Sequence, residues 1–262
     1  IGEMPSVKGD KKFVNIKYEN KQDSTKDFND SDVKIDIQGT SSQYYPKKNY
    51  KFTLNNNYKL RDNSIPERVF CVKADYMESS HSHNTGMAKI VHNTYLEKVP
   101  PQLNDANIRT TIDGFPIAMF YRENENAPLQ YFGIYNFNND KDDVNTFGYS
   151  EETECWEVCN NTSPRVLFKQ SEYESLDNEG KPAWLNDFEA RYPEDNVDYT
   201  NLKRLTDWIV STEGNIDKFK NEFNQYFNLH YTTVYFILTE LFAMIDSRAK
   251  NMFLATWDKN IW

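Results

Sequence analysis

Two short segments of alternating hydropathy constrain the fold of this chain more than any other part of its sequence. They are residues 32–38 (DVKIDIQ) and 49–54 (NYKFTL), and in both every second residue is apolar: Val33, Ile35, Ile37, Tyr50, Phe52 and Leu54. A period of two is typical of a strand with one buried face. The segments therefore predict an antiparallel hairpin, whose strands are joined by the ten-residue loop 39–48 (GTSSQYYPKK). Loops of this length often carry function.

The rest of the N-terminal half predicts more antiparallel sheet and one helix. Strands are expected at 12–18 and 68–74, and residues 115–122 and 129–137 have the pattern of a second hairpin. Asn84 and Thr85 are suitable caps for a helix that runs to about residue 96.

The C-terminal half predicts helices, at 201–211, 216–227 and 231–245. The last of these is apolar almost all round, which favours a buried helix. A strand is expected at 252–257, followed by a tight turn and the start of a returning strand at Ile261.

Together these patterns predict an α+β fold with two lobes in a single module. The β-rich lobe covers about 12–148, and the helical lobe covers 201–262. Between them, residues 149–200 are acidic and rich in turn-forming residues, and we expect an irregular excursion there.

Composition excludes some classes of function. The formal net charge of −10 disfavours binding of nucleic acid, although a local basic patch is compatible with it. No apolar run is long enough for membrane insertion. Cys155 and Cys159 stand four residues apart, but no histidine lies near them in the sequence, so zinc binding has little support.

The C-terminal region contains a candidate catalytic pair, Asp246 and Asn251, at an offset of five residues. Protein kinases use a similar order of elements, in which an Asp orients the acceptor hydroxyl and an Asn five residues later binds a metal ion. The simpler alternative is that Asp246 ends the preceding helix or pairs with Arg248 or Lys250.

Three segments resemble the spore coat protein H (CotH) kinase-like family. They are GTSSQYYPKKNYKF (39–52), GIYNF (133–137) and LTELFAMIDSRAKNMFLATWDKNIW (238–262). The resemblance implies an atypical protein-kinase-like fold that binds ATP and Mg²⁺ and phosphorylates Ser or Thr of a protein substrate. Members of the family occur in spore coats, on bacterial surfaces and as modules of phage proteins, so the resemblance leaves the localisation open.

The resemblance also implies roles for individual residues. Asp246 matches the catalytic Asp, and Asn251 matches the metal-binding Asn. The residues expected near the phosphates are those of the first motif: Gly39, Ser41, Ser42, Lys47 and Lys48. Lys51 and Lys73 are further candidates for a phosphate contact, and Glu78 is the nearest acidic partner for Lys73.

The chain departs from the family pattern in two respects. Glu78 and His83 stand where the family has Asp and Arg, and the family's second metal-binding Asp would lie beyond Trp262, so the helical lobe is expected to be truncated. Two hypotheses follow. The first is an ATP- and Mg²⁺-dependent protein-kinase-like domain, and the alternative is a catalytically inactive module that binds assembly partners in a phage particle or on a bacterial surface. A carbohydrate-binding or glycosidase domain ranks third, because no pair of carboxylates supports it.

Overall fold

The computed structural model describes residues 1–95, 105–159, 175–244, 247–248 and 250–262. These residues form a mixed α+β structure that divides into two compact units, one up to Gly148 and one from Tyr149 onward. None of the described helices combines the length and the apolar character that crossing a bilayer requires.

The first unit is built on an antiparallel sheet with the strand order β1-β2-β3-β4-β6-β5. Its strands are β1 (Lys12–Tyr18), β2 (Phe28–Gln38), β3 (Asn49–Tyr58), β4 (Glu67–Lys73), β5 (Gly114–Tyr121) and β6 (Gln130–Asn139), and its helix is α1 (His83–Tyr95). Both predicted hairpins are confirmed. Ile35 of β2 lies opposite Phe52 of β3, and Ile117 of β5 lies opposite Tyr135 of β6.

The sheet is curled, and residues 1 and 2 hydrogen-bond to both of its edges. Ile1 exchanges backbone hydrogen bonds with Asn15 of β1, at 2.6 and 2.8 Å. The N–H of Gly2 donates to the carbonyl of Arg122, which follows β5, at 3.3 Å. Gly2 has a φ of 138°, and a Cβ on it would lie 3.0 Å from a methyl of Val14. A glycine at this position therefore suits the close approach of residue 2 to β1.

The hydrophobic core of the first unit lies on the inner face of the curled sheet. The alternating residues that predicted the first hairpin are all buried there. Phe70 of β4 and Phe137 of β6 stack at 4.6 Å between ring centroids and extend the core across the sheet. Because successive side chains of a strand point to opposite faces, the residues between them lie on the outer face.

The second unit contains a smaller antiparallel sheet with the strand order β8-β7-β9. Its strands are β7 (Glu154–Val158), β8 (Phe188–Tyr192) and β9 (Met252–Thr256). The helices are α2 (Thr200–Ser211), α3 (Ile216–Glu222) and α4 (Leu229–Leu241). The core of this unit includes Trp156 of β7 together with Leu205 and Trp208 of α2.

Two predictions about the strands of this unit were wrong. The segment 149–200 is not simply irregular, because it contributes β7 and β8. Every residue of β7 is buried, so the backbone N–H and C=O groups along both edges of this strand need hydrogen-bond partners. It pairs with β8 and β9, and the expected returning strand at Ile261 does not form. Instead, the backbone of Trp262 hydrogen-bonds to Tyr226 and Asn228 at 2.8 Å.

The helix predictions also need two corrections. The predicted helix 216–227 is α-helical only to Glu222 and continues as a short 3-10 helix at Phe223–Gln225. The predicted burial of 231–245 was wrong for the residues that the structure describes. In α4, Phe236, Ile237 and Leu241 are 58%, 53% and 70% exposed. An all-round apolar helix needs neighbours on every side, and the described residues shield one side of α4 only.

Candidate functional site

The outer face of the first sheet carries two rows of polar side chains that run across the strands. The strand register places Asp36, Lys51, Cys71 and Asn138 opposite one another in the first row. The second row contains Gln38 opposite Asn49 and Lys73 opposite Asn136, with Asn49 and Lys73 on neighbouring strands. Two of the predicted phosphate-contacting lysines therefore lie on the same face of the sheet.

Lys51 is neutralised by carboxylates that the sequence analysis did not nominate. Its Nζ lies 2.9 Å from a carboxylate oxygen of Asp140 and 3.3 Å from one of Asp142. Burial by itself would lower the pKa of Lys51, but the hydrogen bond and the charge of Asp140, aided by Asp142, outweigh burial and raise this pKa. Lys51 is thus paired with a buried carboxylate, and its charge is already balanced within the protein.

Lys73 has a neutral partner instead. Its Nζ donates a hydrogen bond to Oε1 of Gln38, and it forms no ion pair with a carboxylate of the described residues. Its predicted partner, Glu78, is used elsewhere. The Glu78 carboxylate accepts hydrogen bonds from the backbone N–H groups of Ser80 (2.6 Å), Ser82 (2.9 Å) and His83 (3.2 Å), just before and at the start of α1.

These hydrogen bonds explain the acidity of Glu78. The hydrogen bond with the side chain of Ser80 contributes most, and together with the three backbone N–H donors it lowers the pKa of Glu78 to about 2. The structure therefore brings Glu78 to the start of α1 as a capping group and does not join it to Lys73.

The loop 39–48 is held by its own small residues. Gly39 has a φ of 112°, and a Cβ on it would lie 2.0 Å from Oγ of Ser42. The carbonyl of Ser41 accepts the N–H of Tyr44 at 3.1 Å, and the Ser42 hydroxyl accepts a hydrogen bond from Nδ2 of Asn49 at 3.0 Å. The glycine and serines of the motif thus fix a tight turn, which is a sufficient structural reason for their presence.

The two lysines at the end of this loop point to backbone oxygens. Nζ of Lys48 donates to the carbonyl of Gln43 at 2.7 Å. Nζ of Lys47 donates to the carbonyls of Ile134 and Ala74, the latter at 3.3 Å, and lies 4.3 Å from the centroid of the Tyr135 ring. Burial lowers the pKa of Lys47, and the negative charge of Asp75 opposes this effect.

Four lysines in this region carry a positive charge that no carboxylate of the described residues neutralises through an ion pair. They are Lys8, Lys47, Lys48 and Lys73, and we call them the basic surface. Lys8 and Lys48 donate to Gly39 and Gln43, which belong to loop 39–48. Lys73 donates to Gln38, the residue before the loop, and Lys47 donates to Ala74, whose N–H is bonded to Asn49, the residue after the loop. On a chain with a formal net charge of −10, lysines that donate to neutral oxygens and not to carboxylates are candidate ligands for an anion.

The predicted catalytic pair belongs to the second unit and is described only in part. Asp246 lies outside the described residues. Asn251 is exposed, has a φ of 50° and directly precedes β9. A left-handed backbone conformation is tolerated better by Asn than by most residues, so the local turn accounts for an Asn at this position without further assumptions.

One group in the second unit has the donor atoms of a metal site. Ligand atoms of Glu157, Cys159 and Glu189 lie within 4.8 Å of one another. However, the guanidinium of Arg191 pairs with both carboxylates. Burial, aided by the two carboxylates, raises the pKa of Cys159 to about 11, so the thiol is protonated at neutral pH. We therefore assign no metal to this cluster.

Sequence reasoning missed the carboxylates that pair with Lys51 and the buried amides of β6. Asn136 and Asn138 alternate with the core residues Tyr135 and Phe137, and both asparagines are buried. The alternation of amides with an apolar residue is visible in the sequence at residues 136–139 (NFNN). It indicates a strand that is covered on both faces, one of them by polar groups.

Comparisons with models of known protein families and with curated protein sequences found no match to this chain. The functional interpretation therefore depends on the motifs and on the geometry of the basic surface.

Proposed function

We propose that the chain is an ATP- and Mg²⁺-dependent protein-kinase-like module that transfers phosphate to Ser or Thr of a protein substrate. The observation that carries the proposal is the basic surface. Lys47 and Lys48 end the loop whose sequence resembles the first motif of the spore coat protein H kinase-like family, Lys8 donates to Gly39 of that loop, and Lys73 donates to Gln38 just before it. None of the four forms an ion pair with a described carboxylate.

The chemistry of the basic surface suits a polyphosphate. A lysine ammonium binds phosphate oxygens as a compact point charge with three donors. The present acceptors of Lys48 and Lys73 are a backbone carbonyl and a neutral amide oxygen. A phosphate oxygen carries more negative charge than either, so exchange of these hydrogen bonds for phosphate contacts is electrostatically favourable.

The remaining roles rest on the motif resemblance. Asp246 would orient the acceptor hydroxyl, and Asn251 would supply an amide oxygen to Mg²⁺, a metal that prefers oxygen ligands. Lys51 is not part of this proposal, because Asp140 already neutralises it.

Titration calorimetry with ATP and Mg²⁺ tests the nucleotide site. Removal of one charged contact in Lys73→Ala or Lys48→Ala should weaken binding by about tenfold. The matched control is Lys59→Ala. Lys59 is exposed and directly follows β3, at the end of this strand that is far from loop 39–48, so the variant should bind ATP like the unchanged protein. Absence of binding to the unchanged protein, or an equal effect of all three substitutions, would contradict the proposal.

The catalytic role is tested separately by transfer of labelled phosphate from ATP. Asp246→Asn should abolish transfer to a Ser- and Thr-containing protein while leaving the affinity for ATP within about twofold, because this residue is assigned to the hydroxyl. Loss of binding together with transfer would assign Asp246 to another role.

A second candidate is a structural module that keeps the fold without catalysis and binds assembly partners. It is favoured by the use of Glu78 as a helix cap, which leaves Lys73 without the acidic partner that active kinases require. Under this alternative, ATP binding is absent and the Lys73→Ala substitution changes only stability.

A further inference from the structure

A chain of hydrogen bonds joins loop 39–48 to the segment that precedes α1. Its first member is Asn49, at the start of β3. Nδ2 of Asn49 donates to Oγ of Ser42 in the loop at 3.0 Å, and Oδ1 accepts the backbone N–H of Ala74 at 2.7 Å. One side chain thus bridges two stretches of backbone that are distant in sequence.

Asp75 continues this chain toward α1. One oxygen of its carboxylate accepts a hydrogen bond from Nδ2 of Asn136 at 2.5 Å, and the other accepts one from Nδ2 of Asn84 at 3.0 Å. Asn84 lies in the first turn of α1. Asp75 therefore links the outer face of the sheet to the start of the helix.

Asn136 holds both ends of the segment 75–81. It is fully buried, and its Nδ2 donates to the carbonyl of His81 at 2.6 Å in addition to Asp75. Both of these residues have a left-handed backbone, with φ values of 41° for Asp75 and 54° for His81. Such conformations persist where surrounding contacts over-determine them, and Asn136 supplies those contacts at both points.

Two further contacts connect the same loop and segment. The rings of Tyr45 and Tyr76 stack at 5.3 Å between centroids. Nζ of Lys47 donates to the carbonyl of Ala74 at 3.3 Å, so the position of this lysine depends on the backbone beside Asp75.

We propose that Asp75 is a positioning residue that couples loop 39–48 to the start of α1, so that the two segments change conformation together. As a consequence, Lys47 keeps its position only while residues 74–82 keep theirs. The coupling stands on the contacts above and is independent of any ligand. The consequence for Lys47 as a phosphate contact rests on the proposed function.

Hydrogen exchange of the unliganded protein tests the coupling. Asp75→Asn keeps the size of the side chain and its tolerance of a left-handed backbone, but it replaces one acceptor oxygen by a donor. We expect amides of both 74–83 and 39–48 to exchange at least about tenfold faster, as in the opening of one cooperative unit. Asp62→Asn, in which an exposed carboxylate loses its pairing with Lys26, is the control and should change neither segment.

Asn84→Ala is the second variant, because it removes only one partner of Asp75 and leaves the buried Asn136 contact intact. It should accelerate exchange in the same two segments to a smaller extent. Faster exchange that is confined to 74–83 in both variants, with loop 39–48 unchanged, would overturn the coupling.

The electrostatic contact between Asp75 and Lys47 has a readout of its own. The pKa of the Lys47 amine, followed by NMR of its labelled Cε, should fall in Asp75→Asn because the opposing carboxylate charge is lost, and it should hold in Asn84→Ala. Titration with ATP and Mg²⁺ then separates the two proposals. If the unchanged protein binds no ATP, the proposed function fails while the exchange result still decides the coupling. If it binds ATP and Asp75→Asn binds equally well, the positioning of Lys47 is refuted.

Discussion

The carboxyl group of Glu67 lies at the start of β4 in an environment that opposes its ionisation. The residue is 5% exposed, the Thr146 hydroxyl donates to Oε1, and Oε2 is buried without a hydrogen-bond partner among the described residues. Burial is the main cause that raises the pKa of Glu67 to about 7, and the charge of Asp143 adds to it. Thr146, Arg61 and Arg109 oppose the rise without cancelling it.

This raised pKa makes the stability of the first unit depend on pH. In the unfolded chain the group titrates near 4.5, whereas in the folded protein it titrates near 7. Between these values the unfolded state binds fewer protons, so the free energy of unfolding falls as the pH rises, and above pH 7 the loss is complete. At about 1.4 kcal/mol for each pKa unit, the loss amounts to about 3 kcal/mol.

Glu67→Gln removes this loss, because glutamine imitates the protonated acid and does not titrate. The variant should equal the parent protein near pH 4.5 and exceed it by up to about 3 kcal/mol at pH 8. Urea unfolding at a series of pH values measures the difference. Far-UV circular dichroism is the suitable signal, because the first unit is rich in strands but contains none of the five tryptophans.

Glu125→Gln, at an exposed carboxylate in the β5–β6 turn, is the matched control and should show no such dependence. A difference between Glu67→Gln and the parent that is the same at pH 5 and pH 8 would refute the reasoning from burial.

Three more predictions follow from single contacts. Gly39→Ala should destabilise the first unit by about 1 to 3 kcal/mol, because its φ of 112° is unfavourable for alanine and the new Cβ would collide with Ser42; thermal unfolding by circular dichroism measures this loss. Asp140→Asn should cost about 2 to 3 kcal/mol in urea unfolding, since it breaks a pair in which Asp140 is buried while Lys51 is 34% exposed, and equal stability would contradict the pairing. Cys159 should react slowly with iodoacetamide at pH 7.5 and rapidly only near pH 11, where its thiolate forms; fast alkylation at neutral pH would exclude the raised pKa.

The sequence predicted those strands whose alternation reveals which face is buried. In β2 and β3 the period of two marks the core side directly, and Ile35 lies opposite Phe52 as that pattern requires. The strand β7 gave no such signal, because it is buried on all sides with Glu154 and Glu157 in its interior. Burial of those acids depends on partners such as Arg191, and such pairing cannot be read from a local pattern.

The same limit explains the failed expectation for α4. Hydropathy states that Phe236 and Leu241 favour an apolar environment, but it does not state which residues provide that environment. In the site, likewise, the sequence nominated Lys51 and Lys73 on equal terms. Only the tertiary structure separates them, by placing Asp140 beside one and a neutral amide beside the other.

This separation bears on the choice between a catalytic and a structural role. An acidic chain has many carboxylates available, and a lysine that serves only stability gains from pairing with one, as Lys51 does. The lysines of the basic surface instead donate to neutral oxygens, which favours a ligand that brings its own negative charge. Each of these hydrogen bonds contributes about 1 kcal/mol and has to be exchanged on binding, so the affinity for a polyphosphate should be modest. Competition between ATP and inorganic triphosphate at equal concentration then identifies what the basic surface recognises. If triphosphate displaces ATP, the surface binds the phosphates by charge. If ATP stays bound, the protein must contact the nucleoside as well, and the four lysines do not supply such contacts.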